Sequence, residues 1–188
     1  MSFKQQLIDL DVCKEAIDWV EDRTIQQAWK DCPHGDWMLW LLEEMEGEKG
    51  WLDEKEIMLL GCWCARRVLK YIPEGETRPL KAIEAKEAWA RGEITREEMA
   101  VALTSVWTAV HDAVIVARNA ACNVTCTAAC AAALAAANAV ASDTAWVSVW
   151  ISAYDKRSGT GWTAAYDEES LIQANYIRTQ FTPLKGNL

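Results

Sequence analysis

The sequence predicts an all-α protein with a single domain, a bundle of about eight or nine helices packed in antiparallel pairs. Three observations support this fold class. Apolar residues recur at helical spacing along most of the chain, helix-capping patterns precede those segments, and no stretch alternates between apolar and polar residues next to a hairpin turn. The 188 residues are enough to bury a substantial core. Short paired helices also suit a solenoid-like stack, although no strict repeat period is visible.

The chain has three parts of unlike composition. Residues 1–92 are acidic and rich in tryptophan, residues 93–155 are helical and rich in alanine, and residues 156–188 comprise a loop, a last helix and a tail. The segment 75–92 joins the first two parts, with a proline in its expected first helical turn and a glycine at its end. We expect all three parts to belong to one domain.

Two short helices are predicted at the start of the chain. Asp9 or Asp11 caps the first and Asp22 or Thr24 caps the second, because each side chain can accept a hydrogen bond from a free helix N–H. Apolar residues follow both caps at helical spacing. The Cys-Pro-His-Gly sequence at 32–35 then ends the second helix.

Two longer helices follow, separated by an acidic loop. Asp36 is predicted to cap the third helix, with Trp37, Trp40, Leu41 and Met45 close to one face. The sequence EEMEGEKG forms the loop. A charged start at 53–56 opens the fourth helix, which runs to about Tyr71.

The alanine-rich part begins with a capping box at Thr95–Glu98. Its helical pattern continues to Ser142, and we expect an interruption near 119–125 because one helix of that length is rare in an ordinary domain. Ser142 or Asp143 caps a further helix, and Asp167 caps the last one.

Acidic residues are concentrated in the first hundred positions. These hold 14 basic and 22 acidic residues, whereas residues 101–188 hold 5 and 6. A net charge of −9 argues against binding to a nucleic-acid polymer. It suits a protein partner with a basic face, and the alternative is a solvated acidic surface. The predicted partner-binding residues are Glu43, Glu44, Glu46, Glu48, Asp53 and Glu54.

The sequence favours a cytoplasmic location. The N-terminal residues MSFKQQLIDLD carry charges where a signal peptide would have an apolar core. The seven cysteines do not form a small secreted framework, so we expect reduced thiols that fill the core. The uncharged segment 119–142 is mostly alanine, and we expect a buried helix there rather than a membrane span.

No residue pattern predicts a metal site or a catalytic centre. Cys122, Cys126 and Cys130 share one helical face but lack a second pair of ligands, so we expect them to be small residues at a helix crossing. Cys32 and His34 are close in sequence, but no third group is placed to orient the histidine. The sequence therefore predicts no cofactor and no enzyme.

A second candidate site combines aromatic and cationic side chains. Indole rings stack on nucleobases, and Arg and Lys bind phosphates. If the third and fourth helices meet the helix of segment 75–92, these side chains line a small-ligand pocket; otherwise the tryptophans belong to the core and the cations are solvated. The set comprises Trp37, Trp40, Trp63, Arg66, Arg67, Arg78 and Lys81.

Four segments carry a family resemblance. They are Gly35-Asp36-Trp37-x-x-Trp40, Cys62-x-Cys64-Ala65-Arg66, Gly75-Glu76-x-Arg78-Pro79-x-x-Ala82-Ile83-Glu84 and Ala88-Trp89-Ala90-Arg91-Gly92. Together with the alanine-rich part, they make residues 10–155 resemble the helical, fifth-type-like immunity-protein domain of bacteria and their phages. The chain departs from that family in the Val, Asn and Thr residues at 123–127 and in a glycine-rich loop at 158–161.

The resemblance implies a non-enzymatic protein that binds and neutralises a toxin or a defence effector. In a phage, such a protein would counter a host defence. The aromatic and cationic set indicates an alternative, a sponge that sequesters a small anionic signalling nucleotide. The resemblance implies no catalytic residues, and either function is compatible with a homo-oligomer.

Overall fold

A computed structural model of the chain describes residues 2–72, 74–106 and 162–183, and every regular element within these ranges is a helix. The protein is therefore all-α, as predicted. The predicted interruption at 119–125, the helix start at 142–143 and the three-cysteine face lie outside the described residues. The helices are α1 (Phe3–Asp9), α2 (Lys14–Val20), α3 (Ile25–Asp31), α4 (Gly35–Glu44), α5 (Glu54–Val68), a 3-10 turn (Leu69–Tyr71), α6 (Arg78–Ala90), α7 (96–106) and α8 (Trp162–Gln180).

Three predicted helix starts are confirmed, and each is a reciprocal capping box, although a box was predicted only at Thr95–Glu98. In each, the capping side chain accepts the N–H of the third helical residue, and that residue's side chain accepts the N–H of the cap, over distances of 2.8–3.3 Å. This arrangement satisfies two N–H groups that a helix leaves free. The pairs are Thr24–Gln27, Asp53–Glu56 and Thr95–Glu98.

The predicted first helix corresponds to α2, but its predicted caps Asp9 and Asp11 are wrong, and α1 was not predicted. Ser2 caps α1, accepting the Gln5 N–H at 3.2 Å, and Asp9 is the last residue of that helix. Asp11 has a φ of 57°, in the left-handed region, whereas a capping residue needs an extended backbone. Helix α2 instead begins after Cys13.

The predicted caps Asp36 and Asp167 are also wrong, because both lie inside helices. His34 precedes α4, and Asp36 belongs to its first turn. Helix α8 already begins at Trp162, and Asp167 lies further along the same helix. A cap predicted from one short side chain shifts easily by a residue or more when tertiary contacts extend the helix.

Helix α8 packs against α4. Arg178 donates to the carbonyls of Trp29 and Cys32, just before α4, while Gln173 lies beside Gly35 at its start. Helices α5 and α6 are antiparallel, since Lys55 approaches Trp89 and Cys62 approaches the carbonyl of Ile83. The predicted antiparallel pairing is thus present in this contact.

The main core lies between α3, α4, α5 and α8. Its fully buried members include Leu39 and Leu42 of α4, Cys64 of α5, and Ile177 of α8. A smaller cluster joins α5, α6 and α7 through residues such as Ile83. Burial of one such aliphatic side chain contributes about 1.5–3 kcal/mol, so these helices are held mainly by apolar packing.

The buried face of α4 includes Leu41 of the predicted face but is otherwise formed by different residues. Met38, Leu39, Leu41 and Leu42 are buried, whereas the two tryptophans of this helix are only partly buried against the core. Within the described ranges, no helix is both long enough and apolar enough to cross a membrane.

Candidate functional site

A groove of about 430 Å³ opens between α5, α6 and α8. Its wall combines leucines, two aromatic rings, two carboxylates, one guanidinium and one amide. Such a mixture of apolar surface with a few converging polar groups is typical of binding sites. The lining residues are Leu52, Glu56, Leu59, Leu60, Trp63, Arg66, Glu87, Tyr176 and Gln180.

An aromatic stack forms one side of this groove. The rings of Trp63 and Tyr176 are nearly parallel, with 4° between their planes and 3.8 Å between their centroids. The guanidinium of Arg67 lies 5.0 Å from the centroid of the Trp63 ring. The same guanidinium pairs with both carboxylate oxygens of Glu169 on α8, at 2.5 and 2.9 Å. These contacts fix the orientation of the stack.

An ion pair also lines the groove. Arg66 donates through Nε and Nη2 to the two oxygens of Glu87, at 2.6 and 2.7 Å, and this pairing raises the pKa of the guanidinium. Glu56 adds a second carboxylate, one oxygen of which accepts the Asp53 N–H. With one arginine and two glutamates, the charged side chains of the wall carry a net charge of −1.

The structure brings two of the seven predicted ligand-binding residues to this groove, Trp63 and Arg66. Trp37 and Trp40 instead line a small apolar cavity of about 50 Å³ among α1–α4. Trp37 there meets the ring of Trp19 edge-on at 6.2 Å. These two tryptophans therefore pack against the N-terminal helices.

The remaining cations of the predicted set lie apart. Arg78 pairs with Glu76 at 2.5–3.0 Å, which lowers the pKa of that carboxyl. Lys81 is exposed on α6. As described above, Arg66 and Arg67 each hold a carboxylate too. Every arginine of the predicted set is thus engaged by a glutamate.

Seven of the nine groove residues were not among the predicted ligand-binding residues. Of these, Tyr176 and Gln180 are one turn apart on α8, and Glu87 lies on α6. Their spacing places the first two on one helix face, but no local pattern shows that this face meets α5 more than a hundred residues earlier.

The acidic segment predicted to bind a partner borders the groove. Glu44, Glu46 and Glu48 are exposed at the end of α4 and in the connection to α5, which reaches the groove at Leu52. Glu43 is half-buried at the end of α4. The other two predicted residues have local roles as well, since Asp53 caps α5 and Glu54 accepts a hydrogen bond from Arg96 at 2.6 Å.

A second polar cluster is buried where α4 meets α8. The Asp36 Oδ1 and Ser170 Oγ atoms are inaccessible to solvent and have no hydrogen-bond partner among the described residues. Burial raises the pKa of Asp36 from its ordinary 3.8, although His34 and nearby backbone N–H groups oppose the shift. Burial also lowers the pKa of His34.

The Cys32–His34 pair is a structural contact. Burial raises the pKa of the Cys32 thiol to about 11, so the reactive thiolate is disfavoured near neutral pH. The thiol lies 3.5 Å from the backbone carbonyl of His34, as a weak donor, and the imidazole packs on Trp37 with 4.0 Å between ring centroids. Across the described ranges, no three His, Cys, Asp or Glu side chains gather as metal ligands.

Comparisons with known proteins identify no relative: no family model, curated protein or solved structure matches the chain. The resemblance to the immunity-protein domain stays a prediction.

Proposed function

We propose that this chain is a non-enzymatic immunity or anti-defence protein that acts in the cytoplasm, where it binds a basic toxin or defence effector and neutralises it. One observation carries the proposal. Glu44, Glu46 and Glu48 project into solvent within five residues, and none of them forms an ion pair within the described ranges. Their charge is therefore available to a partner.

Electrostatics explains why such a segment favours a basic protein. Like charges this close repel each other, and a cationic surface relieves that repulsion when it docks. Charge complementarity also steers the two proteins together and speeds their association, especially at low salt. Neutralising a toxin by covering its basic active face requires only binding.

The proposal is tested by reversing these three charges together, as Glu44→Lys, Glu46→Lys and Glu48→Lys. The matched control reverses three exposed carboxylates outside this segment, as Glu15→Lys, Asp22→Lys and Asp31→Lys. Each variant is titrated against a panel of purified basic nucleases and nucleotide-handling effectors, with residual toxin activity and association rate measured at low and high salt.

We expect the parent chain to inhibit at least one toxin. The first variant should associate on the order of tenfold more slowly at low salt and show a weaker salt dependence, because the steering charge is lost. The control should behave as the parent does. Equal losses in both variants would assign the effect to overall charge, and an unchanged rate in the first variant would remove the acidic segment from the proposal.

The nucleotide sponge is the second candidate, and the observation in its favour is that Trp63 and Arg66 share one groove. The carboxylates of Glu56 and Glu87 weigh against it, because both repel a phosphate. Incubation with a panel of cyclic nucleotides, followed by heating to release any bound ligand, distinguishes the two functions. Recovery of intact nucleotide supports a sponge, and no retention across the panel rejects it.

A further inference from the structure

We propose that the groove between α5, α6 and α8 binds an arginine side chain of the basic protein partner. This inference rests on the proposed function and specifies where the partner is anchored. It is argued from three properties of the groove: its charge, its aromatic stack and its position beside the acidic segment.

The charge of the wall selects a cation. The Nε and Nη2 atoms of Arg66 already donate to Glu87, so an anion would compete with that carboxylate and also face Glu56. A carboxylate has about four acceptor positions on its two oxygens. Glu87 therefore keeps acceptor capacity for a second guanidinium, and the second oxygen of Glu56 lies outside the capping box at the start of α5.

The aromatic stack selects a planar cation. A guanidinium stacks on aromatic rings and donates to carboxylates in the same plane, whereas an ammonium acts as a point charge. The chain uses this geometry internally, since Arg67 lies 5.0 Å from the Trp63 centroid and Arg23 lies 4.8 Å from that of Trp19. Because Tyr176 and Arg67 take the two faces of the Trp63 ring, the incoming guanidinium stacks on Tyr176, which is only partly buried. Leu59, which is 39% exposed, offers apolar surface to the methylene groups of an incoming side chain.

The acidic segment leads along the chain into the groove. Leu52 lines the groove and directly precedes Asp53, while Glu46 and Glu48 lie a few residues before it. A basic partner attracted by the segment would therefore place its cations over the groove. Arginine is among the residues that most often contribute large shares of binding energy at protein interfaces, usually from a central pocket.

The test uses small probes that contain no toxin. Acetyl-Gly-Arg-Gly-amide is titrated into the ¹⁵N-labelled chain, and the indole N–H signals are followed by NMR, with the Trp63 signal assigned from a Trp63→Phe variant. Two other probes are titrated in parallel: the same peptide with citrulline, which is uncharged and nearly isosteric, and AMP, which represents an anionic nucleotide.

We expect the arginine peptide to shift the Trp63 indole signal and the citrulline peptide to leave it in place. The double variant Glu56→Gln and Glu87→Gln should weaken peptide binding about tenfold or more, because charge-assisted hydrogen bonds are lost. Gln still supports the capping box at the start of α5. The control double variant, Glu15→Gln and Glu74→Gln, changes the net charge equally at exposed positions outside the wall and should bind as the parent does.

Three outcomes overturn the inference: equal shifts with citrulline, a shift with AMP but not with the arginine peptide, or no shift with any probe. The second outcome would favour the sponge. The result is independent of the toxin assay, because inhibition that depends on the acidic segment can persist while the groove fails to bind arginine. In that case only the arginine anchor is wrong.

Discussion

Helix α8 makes two unlike contacts. Against α4 its backbone approaches so closely that a Cβ atom at Gly35 would lie 2.6 Å from the Cβ of Gln173, and polar atoms of Asp36 and Ser170 are buried there without a hydrogen-bond partner in the described part of the chain. Beside α5 and α6 the same helix leaves a groove whose arginine is paired and whose aromatic rings are reached by solvent. The first contact depends on tight packing, whereas the second leaves surface for a partner.

Stability and binding are located in different contacts of α8. Buried polar atoms without partners cost free energy, so the contact between α4 and α8 must be stabilised by apolar packing around them. The groove has little of this free-energy cost, because its charged side chains pair with one another. Substitutions in the two regions should therefore separate stability from binding.

The largest expected effect on the free energy of unfolding comes from comparing two leucine truncations, one in the α4/α8 contact and one at the groove. Leu39 of α4 is fully buried, and Leu39→Ala should lower the free energy of unfolding by about 2–5 kcal/mol, because it removes apolar contacts and leaves a cavity. Leu59→Ala, at the groove, should cost only about 0.5 kcal/mol. Urea unfolding followed by circular dichroism measures both values. Similar losses would show that the groove is part of the stabilising core.

A smaller effect is expected from adding a methyl group at Gly35. The added Cβ would meet Gln173 and lie 3.1 Å from the backbone nitrogen of Ala174, which cannot move without shifting α8. Gly35→Ala should therefore destabilise the protein by about 1–3 kcal/mol through overpacking. The same urea titration provides the measurement.

Gly75→Ala is the matched control for that substitution. Gly75 has open space around its Cα but a φ of +87°, so alanine there tests backbone strain alone, at a cost of about 1–2 kcal/mol.

Combining Gly35→Ala with Leu39→Ala tests whether the clash at Gly35 and the cavity at Leu39 are coupled. If the cavity relieves the clash, the double variant should lose less than the sum of the single losses.

Much of the fold follows from local sequence. The capping boxes at Thr24, Asp53 and Thr95 each contain both partners within four residues, so the pattern alone predicts their geometry. The buried stripe of α5 was also predictable, because a 3.6-residue period places apolar residues such as Ile57, Leu60 and Cys64 on one face.

The candidate site was predictable only in part. Trp63 and Arg66 were singled out by residue type, but Tyr176 and Gln180 reach the groove because α8 folds back across the chain. The arginines were assigned to an anion, yet their carboxylate partners Glu87 and Glu169 are 21 and 102 residues away in sequence. Pairing over such distances is a property of the tertiary structure, and a single sequence without tertiary contacts does not show it.

The pH dependence of stability tests whether solvent is excluded from the contact between α4 and α8. Asp36 has a raised pKa in the folded state, so its contribution to stability is fully present below 3.8 and is lost as the pH rises through the folded value. His34 has a lowered pKa, so its contribution is present above 6.5 and is lost as the pH falls through the folded value. The two residues therefore act in opposite directions.

Two neutral variants separate these contributions. From about pH 4 to about pH 8, Asp36→Asn should make stability rise more steeply with pH than in the parent, and His34→Gln should make it rise less steeply or fall. Tyr166 and Asp167 of α8 also face this region and remain unchanged in both variants. The measurement is the free energy of urea unfolding at each pH. If Asp36→Asn leaves the slope of unfolding free energy against pH unchanged, this carboxyl titrates as it does in water. Solvent would then reach the contact, which the close packing at Gly35 is expected to exclude.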